Sequence, residues 1–216
     1  MIQTSESEHV RTRVLDAAET LFGATGLQAS IREITVAAKA NLAAINYYFK
    51  SKEGLIAAVL ARRAEPINAE RLRLLNDLEA LAQGNPVPLE DVLRAFLMPT
   101  RSLMSGNSQF LRFAGRVILD PSESMRQVVV TQFGGVAQRF HQALCRSLHP
   151  LSPQEVWVRL SFLVGSVLYL WTNGPDMVGR FAGPGMKAPT DDEMIERLVQ
   201  YGAAGMRGAL REGAPL

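Results

Sequence analysis

Apolar residues recur three and four positions apart along nearly the whole chain, and no convincing run alternates apolar with polar between turn signals. A pattern of period 3.6 buries one face of a helix, whereas a strand needs period two. The chain is therefore expected to be all-α. Val10, Val14, Ala17, Ala18, Leu21 and Phe22 draw one stripe from about Ser7 to Ala24, and Gly26 supplies the left-handed stop beyond it.

The next signals are closely spaced. Ser30 with Glu33 forms a capping box, so a second helix starts at Ile31. It is short, because Ile31, Ile34 and Ala38 complete one face before Asn41 offers a side-chain oxygen as a new N-cap. A third helix is predicted from Leu42 to about Tyr48, with Ile45 and Phe49 on its inner face and Leu42, Ala43, Asn46 and Lys50 directed elsewhere. Ser51 can cap a fourth helix beginning at Lys52, and Pro66 should kink or interrupt it. Further helices are predicted near Leu89–Met104, Gln109–Leu119, Ser122–Ser147, Ser152–Thr172 and Asp191–Arg211, with a long irregular connection over Asn173–Thr190.

Composition narrows the function. With 216 residues and 47% apolar content the chain can bury a substantial core. Its single cysteine, Cys145, excludes an internal disulfide, and the start of the chain lacks the pattern of a secretory signal, so the cytoplasm is the expected compartment. The longest apolar run, Leu160 to Trp171, falls well short of the ~20 residues of a membrane span. His141 and Cys145 lie four apart but have no further ligands at metal spacing, so neither a metal nor a cofactor is expected. No nucleophile elbow, zinc-protease motif or phosphate-binding glycine loop is present, which argues against an all-helical enzyme.

The formal net charge is only +2, but residues 30 to 63 carry six basic side chains (Arg32, Lys39, Lys50, Lys52, Arg62, Arg63) against Glu33 and Glu53. This stretch is the electrostatic candidate for phosphate contact. Two short helices joined by a tight turn and backed by a third form a helix-turn-helix, whose second member enters the major groove. In that member Ala43 and Ala44 are small enough to approach base edges, and Asn46, Tyr47 and Tyr48 can hydrogen-bond to bases or phosphates. Lys52 adds a charged phosphate contact. Packing of Tyr47 against the first helix is the competing expectation for that residue.

These residues resemble the TetR family of bacterial repressors. Phe22, Gly26, Ser30, Arg32, Ile34, Ala38, Asn41, Ile45, Tyr47, Tyr48, Phe49, Ser51, Lys52 and Leu55 stand at the family's spacing, over about residues 10 to 60. The stretch ending Asn46-Tyr-Tyr-Phe49 is similar to a TetR/AcrR subgroup in which Asn46 stands where many members carry tyrosine. The resemblance implies a DNA-binding domain over residues 1–52 and a larger helical ligand-binding and dimerisation domain over 53–216. It implies base contacts from Arg32, Leu42, Ala43 and Ala44, and phosphate contacts from Ser30, Asn46, Tyr48 and Lys52, with Tyr47 able to do either. Lys39 departs from the pattern, standing where the family usually has glycine. A left-handed non-glycine residue there costs roughly 1 kcal/mol, which a relaxed turn would reduce or a phosphate contact from Lys39 would offset. Asn41 completes the candidate interface.

A homodimer on a palindromic double-stranded operator, released by a small and largely apolar effector, is the implied mode of repression. A helix-turn-helix regulator without an effector is the alternative. Candidate pocket residues are Phe96, Met104, Phe110 and Phe113, with Arg116 to meet an anionic group, and Phe133, Phe140 and Trp171. Residues 156 to 172 are apolar nearly all round, which suits burial both within a subunit and against a partner. With the small-residue spacing of the last helix they suggest a two-fold four-helix interface. Its candidates are Trp157, Phe162 and Leu168 on one helix, and Leu198, Gly202, Gly205, Met206 and Ala209 on the other.

Overall fold

The computed structural model describes residues 2–104, 108–173, 180–181, 183 and 189–209, with side chains from residue 8 onward. The side chains of Met104, Ser108 and Asn173 lie outside the described residues. The elements are α1 (Ile2–Thr25), α2 (Ile31–Ala38), α3 (Leu42–Phe49), α4 (Lys52–Ala82), α5 (Leu89–Leu97), a 3₁₀ turn (Met98–Thr100), α6 (Arg101–Met104), α7 (Ser108–Leu119), α8 (Glu123–Ser147), α9 (Pro153–Asn173) and α10 (Asp191–Arg207). Among the described residues there is no strand, as the apolar period requires.

The chain forms two compact units, one of residues 1–68 with 103–135 and the other of 69–102 with 136–216. In the first unit, Val14, Ala18 and Phe22 of α1 are buried with Ile34 of α2, Ile45 of α3, Leu55 and Val59 of α4, and Phe113 and Val117 of α7. Phe22 and Phe113 stack with ring centroids 5.6 Å apart. Gly23 lets α1 and α7 approach closely, because a Cβ there would lie 2.7 Å from the Gln109 carbonyl oxygen. Elsewhere on α1, Arg62 pairs with Asp16 at 2.6 Å and also with Glu19, which accepts from Arg63 at 3.2 Å.

In the second unit Leu75, Leu93, Leu97, Phe140, Leu144, Val156, Leu160 and Val199 form the core. Phe96 packs edge-on against Phe140 at 5.1 Å and beneath the Arg71 guanidinium at 4.2 Å. Burial lowers the Arg71 guanidinium to about 10, and its Nε donates to the Phe96 carbonyl at 2.8 Å. The buried Arg159 caps the end of α10 as a donor. Its Nη1 donates to Met206 O at 2.7 Å and Gly208 O at 2.8 Å, and its Nε pairs with Glu155 at 2.6 Å.

Several boundaries differ from expectation. α4 runs on through Pro66 without interruption, with Ala64 and Ile67 buried on either side. Loss of one backbone hydrogen bond is outweighed where the flanking turns are packed. The helix expected over Leu89–Met104 breaks at Pro99, which stands in the first turn of the 3₁₀ segment. The last helix ends at Arg207 rather than Arg211, so Ala209 lies beyond it. Most of the connection expected over Asn173–Thr190 lies outside the described residues.

Candidate nucleic-acid interface

The turn between α2 and α3 is built from caps. Ser30 at φ −81°, ψ 153° starts α2, its Oγ accepting from the Glu33 amide at 3.2 Å while its own amide donates to Glu33 Oε2 at 2.7 Å. That Ser30 amide, then the Ser30 hydroxyl, then the charge of Lys52, hold the Glu33 carboxyl below its ordinary value. α2 ends at Lys39 in the left-handed region, φ 49° and ψ 46°. The amide of Ala40 returns to Thr35 O at 3.0 Å and that of Lys39 to Val36 O at 3.2 Å, which is the Schellman pattern with lysine at the glycine position. The left-handed turn expected from the family pattern is thus present with a side chain in it. Asn41 then caps α3, its Oδ1 accepting from the Ala44 amide at 2.8 Å.

Only two residues of α3 are buried, Ile45 and Phe49. Leu42, Ala43, Asn46 and Tyr47 are exposed, Tyr47 at 72%. Packing against α1 therefore does not hold Tyr47; its ring meets Tyr48 edge-on at 4.9 Å and lies 5.7 Å from Lys50 Nζ. Ser30, Arg32, Lys39 and Asn41 are likewise exposed, and Ala44, Tyr48 and Lys52 are half-buried. The expected interface residues thus all belong to the first unit, with open side chains on or beside α3.

The electrostatic reading of residues 30–63 needs a correction. Arg62 and Arg63 are tied to Asp16 and Glu19 of α1, so the basic side chains left near the reading helix are Arg32, Lys39, Lys50 and Lys52, against Glu33 and Glu53. Long-range pairing across 43 or more positions is invisible to a charge count along the sequence.

The pocket candidates are divided between the two units. Phe110 and Phe113 are fully buried beside α1, and Arg116 donates to the carbonyls of Phe22 at 2.8 Å and Gly23 at 3.2 Å. Phe133 is half-buried in the same unit, whereas Phe96, Phe140 and Trp171 belong to the other. The side chain of Met104 is outside the described residues.

The interface candidates divide by exposure. Leu168, Leu198, Gly202 and Met206 turn inward within their own unit. A Cβ on Gly202 would meet Leu163 Cδ1 at 3.0 Å, so its small size serves packing inside the unit. Trp157, Phe162, Gly205 and Ala209 are exposed. Val158, Tyr169 and Tyr201, which the sequence reading did not single out, are exposed with them. Phe162, Tyr169 and Tyr201 flank a groove of about 660 Å³ along α9 and α10, which also has Gly165, Leu170 and Met194 in its lining. No helix among the described residues is long and apolar enough to cross a membrane.

A short, outward-facing α3 set on a capped turn and braced by α1 defines a helix-turn-helix protein. Residues 14–59 match the family described as bacterial regulatory proteins of the tetR family, and residues 93–205 match the tetracyclin repressor-like C-terminal domain. The chain belongs to the TetR family of transcriptional regulators. Over 55 residues it is 44% identical to the HTH-type transcriptional dual regulator CecR of Shigella flexneri, a stretch that covers 26% of this chain and 25% of CecR. The chain thus spans a quarter of the length of that curated relative. Among solved structures it is similar to NalD, the secondary repressor of the MexAB-OprM multidrug efflux pump in Pseudomonas aeruginosa, with TM-score 0.64 and 21% identity over 93% of this chain and 97% of that one. It is also similar to HlyIIR, a hemolysin II transcriptional regulator, with TM-score 0.58 and 21% identity over 90% of this chain and 97% of HlyIIR. At such identity these two likenesses speak for the fold alone.

Proposed function

We propose that the chain is a ligand-responsive repressor, cytoplasmic, which binds a palindromic operator as a homodimer through residues 1–52 and is regulated through residues 53–216. The observation that carries this reading is the arrangement of α3. Ile45 and Phe49 anchor it, while Ala43, Asn46 and Tyr47 stand open to solvent. A helix held by two residues and bare on its opposite face can enter a major groove without unfolding anything. Arg32, Leu42, Ala43 and Ala44 are assigned to bases. Ser30, Asn46, Tyr48 and Lys52 are assigned to phosphates, joined by Lys39, with Asn41 orienting the helix and Tyr47 serving either contact.

The exposed aromatic edge of α9 and α10 supports a second copy as partner, centred on Phe162 and Tyr201. Two α3 helices about 34 to 36 Å apart would then meet successive major grooves. An effector that prefers the unsuitable spacing weakens operator binding by its differential affinity for the two forms. α4 starts at Lys52 and contributes to both units, which makes it the candidate route of that coupling.

Selection of bound duplexes from a random pool tests the reading. An inverted repeat is expected, bound by two chains. Recovery of no preferred duplex would refute the operator, and a single half-site bound by one chain would refute the dimer.

A further inference from the structure

Arg13 of α1 donates from Nε to the carbonyl of Ala38 at 3.1 Å and from Nη2 to the carbonyl of Lys39 at 3.5 Å. Its target is the end of α2. There the amides of Lys39 and Ala40 close the carbonyls of Val36 and Thr35, and the carbonyl of Ala38 is met by the guanidinium. A helix end needs such partners for its last carbonyls and carries partial negative charge that a cation offsets. Lys39 itself occupies φ 49°, a conformation in which a Cβ is disfavoured and glycine is the usual residue.

We propose that Arg13 is a positioning residue for the reading helix: it holds the left-handed Lys39 turn closed and thereby sets the direction in which α3 leaves α2. The proposal rests on the DNA-binding reading above. Three observations converge on it. The side chain arrives from a third helix, 25 residues away, so it braces the pair from outside. Both bonds go to backbone carbonyls of the turn, which no substitution within the turn can remove. Lys39 holds φ 49°, where a side chain is disfavoured and glycine is not, and both guanidinium bonds of Arg13 fall at that strained point.

The alternative use of Arg13 is as one more phosphate contact, and salt dependence separates the two. A lost phosphate contact flattens the plot of log affinity against log salt by about one unit, whereas a misdirected helix weakens binding with the slope unchanged. Dependence on Lys39 separates positioning from general stability, because only the former should relax when residue 39 no longer needs the tie.

The experiment uses the full chain and a duplex selected from a random pool by the unaltered protein. Affinity is measured across salt for the unaltered chain, Arg13→Met, Lys39→Gly and the double variant, with melting temperatures taken on the same four without DNA. Arg13→Met is expected to weaken binding about tenfold at every salt concentration, and less than about threefold when residue 39 is glycine. Arg13→Lys, which keeps a donor and the charge, should recover part of the loss. The melting temperatures should show the same coupling, with a smaller fall on removing Arg13 from the Lys39→Gly chain. Equal losses in both backgrounds, or a slope flattened by about one unit, would overturn the proposal while leaving the DNA-binding reading intact. Failure to select any duplex would overturn that reading and the positioning role together, even where the melting temperatures still reveal the coupling.

Discussion

Arg116 of α7 donates from Nη1 to the carbonyl of Phe22 at 2.8 Å, closing the last turn of α1 from 94 residues away. The same nitrogen reaches Gly23 O at 3.2 Å, at the residue whose missing Cβ lets α1 lie against Gln109. The helix that supports the reading head is thus fastened at two points: Arg13, midway along it, ties it to the end of α2, and Arg116 ties its C-terminal end to α7.

Gly23→Ala should destabilise the protein by about 2 kcal/mol, since its methyl would enter a space already occupied by Gln109 backbone and Cβ. Chemical denaturation reads this directly. A loss below about 0.5 kcal/mol would show that α7 can shift away without penalty.

Ala43→Glu should abolish operator binding and leave melting almost unchanged, because Ala43 is exposed and surface substitutions seldom change stability by more than about 0.5 kcal/mol. The carboxylate would face phosphates and base edges in a closed groove. Binding retained within about threefold would remove α3 from the groove.

Lys52→Ala should flatten the salt dependence of operator binding by about one unit for each chain bound. Titrating affinity from low to high salt gives the slope. An unaltered slope would strike Lys52 from the phosphate contacts.

The Phe162→Glu, Tyr201→Glu double variant should sediment as a monomer, since both side chains are exposed at 68% and 69% along the α9 and α10 groove. Neither packs in the core, so circular dichroism should stay that of the parent. A persistent dimer would place the partner surface elsewhere.

The Glu90–Arg207 pair predicts a pH dependence. Arg207 holds the Glu90 carboxyl down from 4.5 to about 2, mainly by hydrogen bonding. A depressed carboxyl contributes stability that is fully present above its unfolded value and is lost as pH falls through its folded one. The stability difference between the parent and Glu90→Gln should therefore be constant from pH 7 to about 5 and shrink toward pH 2. A difference that grew on acidification would contradict the pairing.

The helix-turn-helix was legible because its signals are local. Ser30 with Glu33, Asn41 before Leu42, and the Ile45–Phe49 spacing each act within three or four residues, and a helix cap works the same way wherever the helix is placed. The pocket candidates were less legible. Phe110 and Phe113 have the same apolar signature whether they line a cavity or fill a core, and only the tertiary structure brings Phe113 onto Phe22 and Phe110 onto Phe113.

The chain's own order of residues settled that it is helical, where α2 and α3 start, and which face of α3 is apolar, because periodicity and capping are properties of neighbours. Folding in three dimensions decided the rest. It brought Arg13 to the Lys39 turn, withdrew Arg62 and Arg63 into pairs with α1, turned Gly202 inward against Leu163, and left Phe162 and Tyr201 outside. Each of these outcomes depends on groups separated by tens of residues, whose meeting is set by how packed helices exclude one another rather than by any spacing along the chain.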